Sequence, residues 1–212
     1  MSNLGWEKLY RHYTKTGIGE RILNGKILPE FLFFIAKQFF PIKNALDIGC
    51  GKGNYLKTLL SLGFKVTGLD TSKTALILAK KTLGNKVKLI SADMFTHNFP
   101  SNTYDFVYSI HSLHHGTRND VKEVLGKIYN SLVPGGQIFI TLPLTDTVLK
   151  WENFQKKKIL GKRTFAPLSG PEKGLIHSYY TKSEVIQMFK KFRKVKVLDK
   201  TTNNSLIITG IK

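Results

Sequence analysis

The sequence predicts an α/β fold built on a mostly parallel sheet. Three observations carry this prediction. Short apolar runs alternate with segments of helical period, the connections between successive runs are long enough for parallel crossovers, and a glycine-rich turn, "DIGCGKGN", follows the first run. The chain has 212 residues, 42% of them hydrophobic and 11% aromatic, which suits one sizeable core, so a single domain is expected.

The elements follow in order. "ILPEFLFFIAKQFF" is broken by Pro29, Glu30 and Lys37, falls short of a membrane span, and reads as a packed helix in a cytoplasmic protein. Asn44 to Ile48 reads as the first strand, and Asn54 to Leu62 as a helix stopped by Gly63. Phe64 to Asp70 is the second strand. Ser72 caps a helix that runs through Leu83 and ends at Gly84, Lys86 to Ile90 is the third strand, and Tyr104 to Ile110 the fourth.

Val121, Val124, Leu125, Ile128, Tyr129 and Leu132 recur at helical spacing behind a capping-box start at Thr117 and Asp120. Pro134, Gly135 and Gly136 break that helix before "QIFITL", the fifth strand. Thr181 and Glu184 form a second capping box, opening a helix with Val185, Met188, Phe189 and Phe192; "VKVL" and "SLIITGI" then read as a closing hairpin. The expected organisation is an N-terminal helical cap (1–40), a ligand-binding core (41–144), a long irregular insertion (145–180) suited to a lid or binding loop, and a C-terminal helix and hairpin (181–212).

Charge is the unusual feature of the composition. Lys and Arg number 33 against 14 Asp and Glu, a formal net charge of +19, and residues 150–200 carry about half of that excess. Such a field attracts polyanions but says nothing of fold. The single cysteine, Cys50, excludes an internal disulfide and a cysteine-rich metal site.

The glycine turn sits where an open parallel sheet binds its ligand. It is not a dinucleotide fingerprint, because Asn54 stands where G-x-G-x-x-G has its third glycine. Nor is it a phosphate loop, since no Ser or Thr follows Lys52 at the metal-binding place. Asp47 at the strand end would repel a phosphate. A cationic, adenosine-containing ligand fits better.

The residues that meet this description resemble motif I of the class I S-adenosylmethionine-dependent methyltransferases, an apolar strand followed by D-x-G-x-G-x-G, which "ALDIGCGKG" matches throughout. "GLDTS", "SADM" and "LVPGGQIFI" resemble the family's later motifs and stand in the family's order. The resemblance implies a Rossmann-like, seven-stranded, mostly parallel sheet with an antiparallel last strand and helices on both faces. It implies S-adenosylmethionine as cofactor and S-adenosylhomocysteine as product. The cofactor contacts it implies are Asp47, Gly49, Cys50, Gly51, Gly53 and Tyr55 around the first turn, Asp70 and Thr71 after the second strand, Ala92, Asp93 and Met94 after the third, and Ser109 at the end of the fourth. Among these, Asp70 would accept the ribose hydroxyls, Asp93 the adenine amino group, and Met94 would lie against the ring.

"HSLHHG" and "GLIHSYY" resemble a subgroup with H-x-x-x-H-G after the fourth strand and a G-x-P-H-x-Y-like element after the fifth. His111, His115 and Gly116 match the first; Gly174, His177 and Tyr179 match the second, with Ile176 where proline is common. His111, His115 and His177 are the catalytic candidates, His111 as a base or as an orienter of the acceptor. Structural roles stand beside these readings, above all for His114. His111, His114 and His115 lie close enough in sequence to raise a metal site, but no clear carboxylate or thiol partner stands nearby and no metal is expected. Trp6, Tyr10 and Tyr13 in the N-terminal segment, with His111 and Tyr179, are the candidate acceptor contacts. A small-molecule acceptor is the first expectation. RNA bound through "KKKILGKR" is the alternative, and a non-catalytic cofactor-binding protein a third. No membrane partner is expected, and oligomeric state is not legible.

Overall fold

Alternation in "NALDI" and "DFVYSI" places successive side chains on opposite faces of one sheet, and both faces are covered. The computed structural model describes residues 4–16, 26–145, 156–199 and 205–212. In chain order its first elements are α1 (Leu4–Thr16), α2 (Pro29–Lys37), β1 (Asn44–Ile48), α3 (Asn54–Ser61), β2 (Lys65–Asp70), α4 (Lys73–Leu83), β3 (Val87–Ser91), β4 (Tyr104–Ser109), α5 (Arg118–Ser131) and β5 (Leu132–Pro143). There follow β6 (Lys157–Gly161), β7 (Thr164–Pro167), β8 (His177–Ser178), α6 (Lys182–Met188), β9 (Arg193–Leu198) and β10 (Ser205–Ile211).

The main sheet has seven strands in the order β3-β2-β1-β4-β5-β10-β9. All neighbouring pairs from β3 to β5 are parallel, while β10 runs antiparallel to both β5 and β9. Ala45, Val66, Phe106, Phe139 and Ile207 face a layer that includes Phe31 of α2, Leu56 and Leu59 of α3 and Leu76 of α4. Leu46, Val107, Ile138, Ile140 and Ile208 face the other way, against Val121, Val124 and Ile128 of α5 and Val185 of α6. The helices are amphipathic because each covers one side of this sheet.

Caps fix where the helices begin. Ser72 Oγ accepts from Ala75 N, and both expected capping boxes, Thr117–Asp120 and Thr181–Glu184, are present. Buried Asp105 fixes the entry to β1, accepting the backbone N–H of Ile42, Lys43 and Asn44. The helix α5 stops at Ser131 and the chain is already extended at Leu132, so β5 starts before the Pro-Gly-Gly turn instead of after it.

The insertion departs from expectation. Within 145–180, β6, β7 and β8 form a three-stranded antiparallel sheet in place of irregular chain; 146–155 lie outside the described residues, as do 1–3 and 17–25 of the cap and 200–204 between the final strands. Apolar periodicity could not announce this sheet, because β6 is lysine-rich and mostly exposed. Lysines on an exposed edge strand hinder pairing with another chain. Among the described residues no helix is long and apolar enough to cross a membrane.

Candidate active site

Parallel strands deliver the loops after β1, β2, β3 and β4 to one edge of the sheet, and a cleft of about 890 Å³ opens there. Its floor is Gly49 to Lys52, Asp70, Thr71, Met94 and Ile110 to Ser112; α1 contributes Trp6, Leu9 and Tyr10, and the insertion contributes Phe165, Glu172, His177 and Tyr179. The turn after β1 has left-handed backbone at Gly49 (φ 79°) and Gly51 (φ 53°). A side chain on Gly49 would collide with Ser112, and one on Gly51 with the Tyr10 hydroxyl. Left-handed backbone and close neighbours together require glycine at both positions.

Asp70 ends β2 and is held by its surroundings: Oδ2 accepts from Gly51 N (2.8 Å) and Oδ1 from Ser72 N (2.9 Å). Burial pushes its carboxyl up, opposed by those backbone donors. Each oxygen retains a second lone-pair site for a hydroxyl donor. Beside it, Thr71 Oγ1 is buried with no hydrogen-bond partner among the described residues. The glycine turn, a fixed carboxylate and an orphan hydroxyl thus present hydrogen-bonding groups to the cleft, with Met94 as an apolar neighbour.

Asp47, Gly53, Ala92, Asp93 and Ser109 are not among the residues that line the cleft. Asp47 is buried, and the Tyr108 hydroxyl faces it without reaching hydrogen-bonding geometry; burial raises its carboxyl well above the ordinary range. Ser109 Oγ donates to Ile48 O, tying β4 to β1. Gly53 starts α3 and packs against Leu83, Asp93 Oδ1 accepts from Phe95 N, and neither these nor Ala92 lines the cleft. Cys50 and Tyr55 do line it; the Tyr55 hydroxyl accepts from Leu28 N (3.1 Å), and burial pushes its pKa up to about 12.

The three catalytic candidates share the cleft. His111 follows β4 with left-handed backbone (φ 54°), uncommon for a residue with a side chain, and its N–H donates to Thr141 Oγ1 (2.7 Å). Its surroundings lower its pKa by desolvation. His115 meets Trp6 edge-on at 4.5 Å between ring centroids and His177 at 4.7 Å. Desolvation holds His115 well below the ordinary value and brings His177 down to about 4. Desolvation thus favours the neutral form of all three rings.

Of the candidate acceptor contacts, Trp6, Tyr10 and Tyr179 line the cleft, and Tyr179 stacks on Phe165 (5.4 Å, 13°). Tyr13 does not; it is buried with Leu9 against Leu175 of the insertion. Sequence reasoning passed over Glu7, which accepts from Ser72 Oγ, Thr74 N and Thr74 Oγ1 and so seats α1 on the start of α4. It also passed over Glu172, whose Oε2 lies 3.4 Å from His177 Nε2. No local pattern marks either residue, because each acts on a distant segment.

A family model described as a methyltransferase domain matches residues 46–140. Over those residues the chain is similar to methyltransferase domains. Phosphoethanolamine N-methyltransferase 2 of Caenorhabditis elegans is 30% identical over 144 residues, 61% of this chain and 32% of that protein. An uncharacterized methyltransferase of Bacillus cereus is 27% identical over 146 residues, 68% of this chain and 65% of the relative. The chain thus spans less than two thirds of the length of these relatives.

Among solved structures, an S-adenosylmethionine-dependent methyltransferase of Methanosarcina mazei superposes with a TM-score of 0.69 at 21% identity, covering 88% of this chain and 98% of the other. The 1,6-didemethyltoxoflavin N1-methyltransferase of Burkholderia thailandensis, solved with 1,6-didemethyltoxoflavin and S-adenosylhomocysteine, superposes at 0.67 with 16% identity, over 97% and 87% of the two chains. At such identities the likeness establishes the fold.

Proposed function

We propose that the chain transfers a methyl group from S-adenosylmethionine to a small-molecule acceptor held between α1, the loop after β4 and the insertion. The observation that carries this reading is the cleft itself, roofed by α1 and the β6–β8 segment around His111. Two of the similar proteins bear names of methyltransferases acting on small molecules, phosphoethanolamine and 1,6-didemethyltoxoflavin. The lysines of "KKKILGKR" need no nucleic acid to explain them, since they stand on an exposed edge strand and the turn after it.

When bound, the cofactor supplies a methyl carbon activated by a sulfonium. Alignment of the acceptor then sets much of the rate, and a base is required only where the acceptor must lose a proton. In this reading Asp70 accepts from the ribose hydroxyls, Gly49 and Gly51 leave room for the amino-acid tail, and Tyr10 closes over it. Trp6 and Tyr179 exclude water at the acceptor, and neutral His111 orients the acceptor or takes its proton.

Calorimetric titration with S-adenosylmethionine, S-adenosylhomocysteine and NAD is the direct test. Binding of the first two without NAD is expected, followed by methyl incorporation into small amines, phenols or thiols. Binding of NAD, or of none of the three, would overturn the reading.

A further inference from the structure

We propose that His114, His115 and His177 bind a divalent transition-metal ion of the zinc type, in the wall of the cleft where the loop after β4 meets β8. The site goes beyond the methyl-transfer reading and does not depend on it. One ring nitrogen from each histidine lies within 4.8 Å of the other two. All three are therefore no more than about 2.8 Å from a common point, and an inward turn of about 0.7 Å brings each to a zinc–nitrogen distance of about 2.1 Å.

The two ligand-bearing segments are held together by contacts that need no ion. Ser178 N donates to His114 O (2.9 Å) and Ser178 Oγ to Gly116 O (2.8 Å), so β8 is fixed against the 112–116 loop. The rings are braced as well. His115 Nδ1 donates to Ile176 O (3.3 Å), and Phe165 stacks on His177 (21° between planes). Outer contacts of this kind orient histidine ligands.

Independent observations point to a missing partner. His114 Nδ1 and His177 Nε2 are buried and make no hydrogen bond to any described residue. Buried polar atoms are seldom left so. His177 is only 6% exposed, so solvent does not satisfy it. Three converging basic rings have one acid at their edge, Glu172, 3.4 Å from His177. Nitrogen donors with a nearby carboxylate suit zinc, cobalt or nickel; magnesium and calcium require sites built from oxygen. Three protein ligands leave a fourth position, and all three line the cleft.

The test uses the untagged full chain, stripped with a chelator and titrated with Zn²⁺ by calorimetry and with Co²⁺ by visible absorption. One ion per chain and the d–d bands of tetrahedral Co²⁺ are expected. The double variant His114→Gln/His177→Gln should lose roughly a hundredfold in Zn²⁺ affinity, while His97→Gln, on the turn after β3, should lose none. S-adenosylmethionine titrations on the same samples report separately on folding and on the cofactor site. Cofactor binding by a wild-type chain that takes up no Zn²⁺ overturns the metal site alone; Zn²⁺ uptake without cofactor binding overturns the methyl-transfer reading alone. Zn²⁺ affinity unchanged in a double variant that still binds cofactor also overturns the metal site.

Discussion

Replacing Glu7 with Gln asks whether α1 is a built part of the site. In the wild type, Glu7 Oε2 accepts from Ser72 Oγ (2.9 Å) and Thr74 N (3.0 Å), and Oε1 accepts from Thr74 Oγ1 (2.7 Å). The pair with Arg11 is largely exposed and contributes little. Glutamine keeps the size and one acceptor oxygen, removes the second, and removes a negative charge from the start of α4. Hydrogen bonds to a charged group contribute about 1.5–3 kcal/mol and neutral ones about 1 kcal/mol. With partial resolvation of the freed donors, the net loss is about 2 kcal/mol.

Because α1 otherwise meets the protein through the small Leu9–Tyr13–Leu175 cluster, the Trp6–His115 contact and Tyr10 beside Gly51, that loss should fall on its docking and leave the central sheet intact. Amide exchange in residues 4–16 should accelerate roughly 30-fold, with weaker S-adenosylmethionine binding and an unchanged far-ultraviolet spectrum. The pH dependence follows from the same contacts. Burial raises the Glu7 pKa, but the Thr74 N–H and hydroxyl, Arg11 and the Ser72 hydroxyl outweigh it and bring the value from 4.5 to about 2. A lowered carboxyl stabilises above its unfolded value, so docking should weaken as pH falls from 4.5 toward 2 in the wild type and not in the variant. Unchanged exchange in 4–16 would refute the argument.

The other predictions concern the floor of the cleft. Asp70→Ala should weaken S-adenosylmethionine roughly tenfold or more while the chain stays folded, and an unaltered calorimetric affinity would remove Asp70 from the ribose. Gly49→Ala meets both a left-handed backbone and Ser112, so a loss of roughly 2–3 kcal/mol in denaturant unfolding is expected, together with loss of cofactor binding. His111→Gly relieves the left-handed strain at that position and should leave the melting temperature equal or higher while lowering turnover; normal turnover would make His111 structural. Since desolvation lowers the His111 pKa below 6.5, the acid limb of kcat/KM should fall below that pH.

The sheet was legible wherever burial on both faces imposed apolar runs, as in β1, β4 and β5, and the helices wherever one covered face imposed a period. The capping boxes were legible because their partners are three residues apart. What escaped was whatever depends on segments distant in sequence. Asp47 and Ser109 carry the expected residue types at strand ends, but their side chains turn inward to Tyr108 and to Ile48 O, and the motif alone does not say which way a side chain turns. The β6–β8 sheet escaped because its strands are two to five residues long and β6 is basic and exposed. The gathering of His114, His115 and His177 escaped because Ser178, which brings β8 to the loop, bonds to backbone carbonyls that any sequence would offer.

Leu9 and Tyr13 of α1 touch Leu175 of the insertion, so the cover over the glycine turn and the cover over His111 meet along one apolar seam. A molecule that settles α1 also steadies the ground under residues 165–180, and the reverse holds with equal force. Linkage makes that reciprocity quantitative: each occupant raises the other's affinity by the same factor. Departure is coupled as well, because parting the seam for one product loosens the hold on the other.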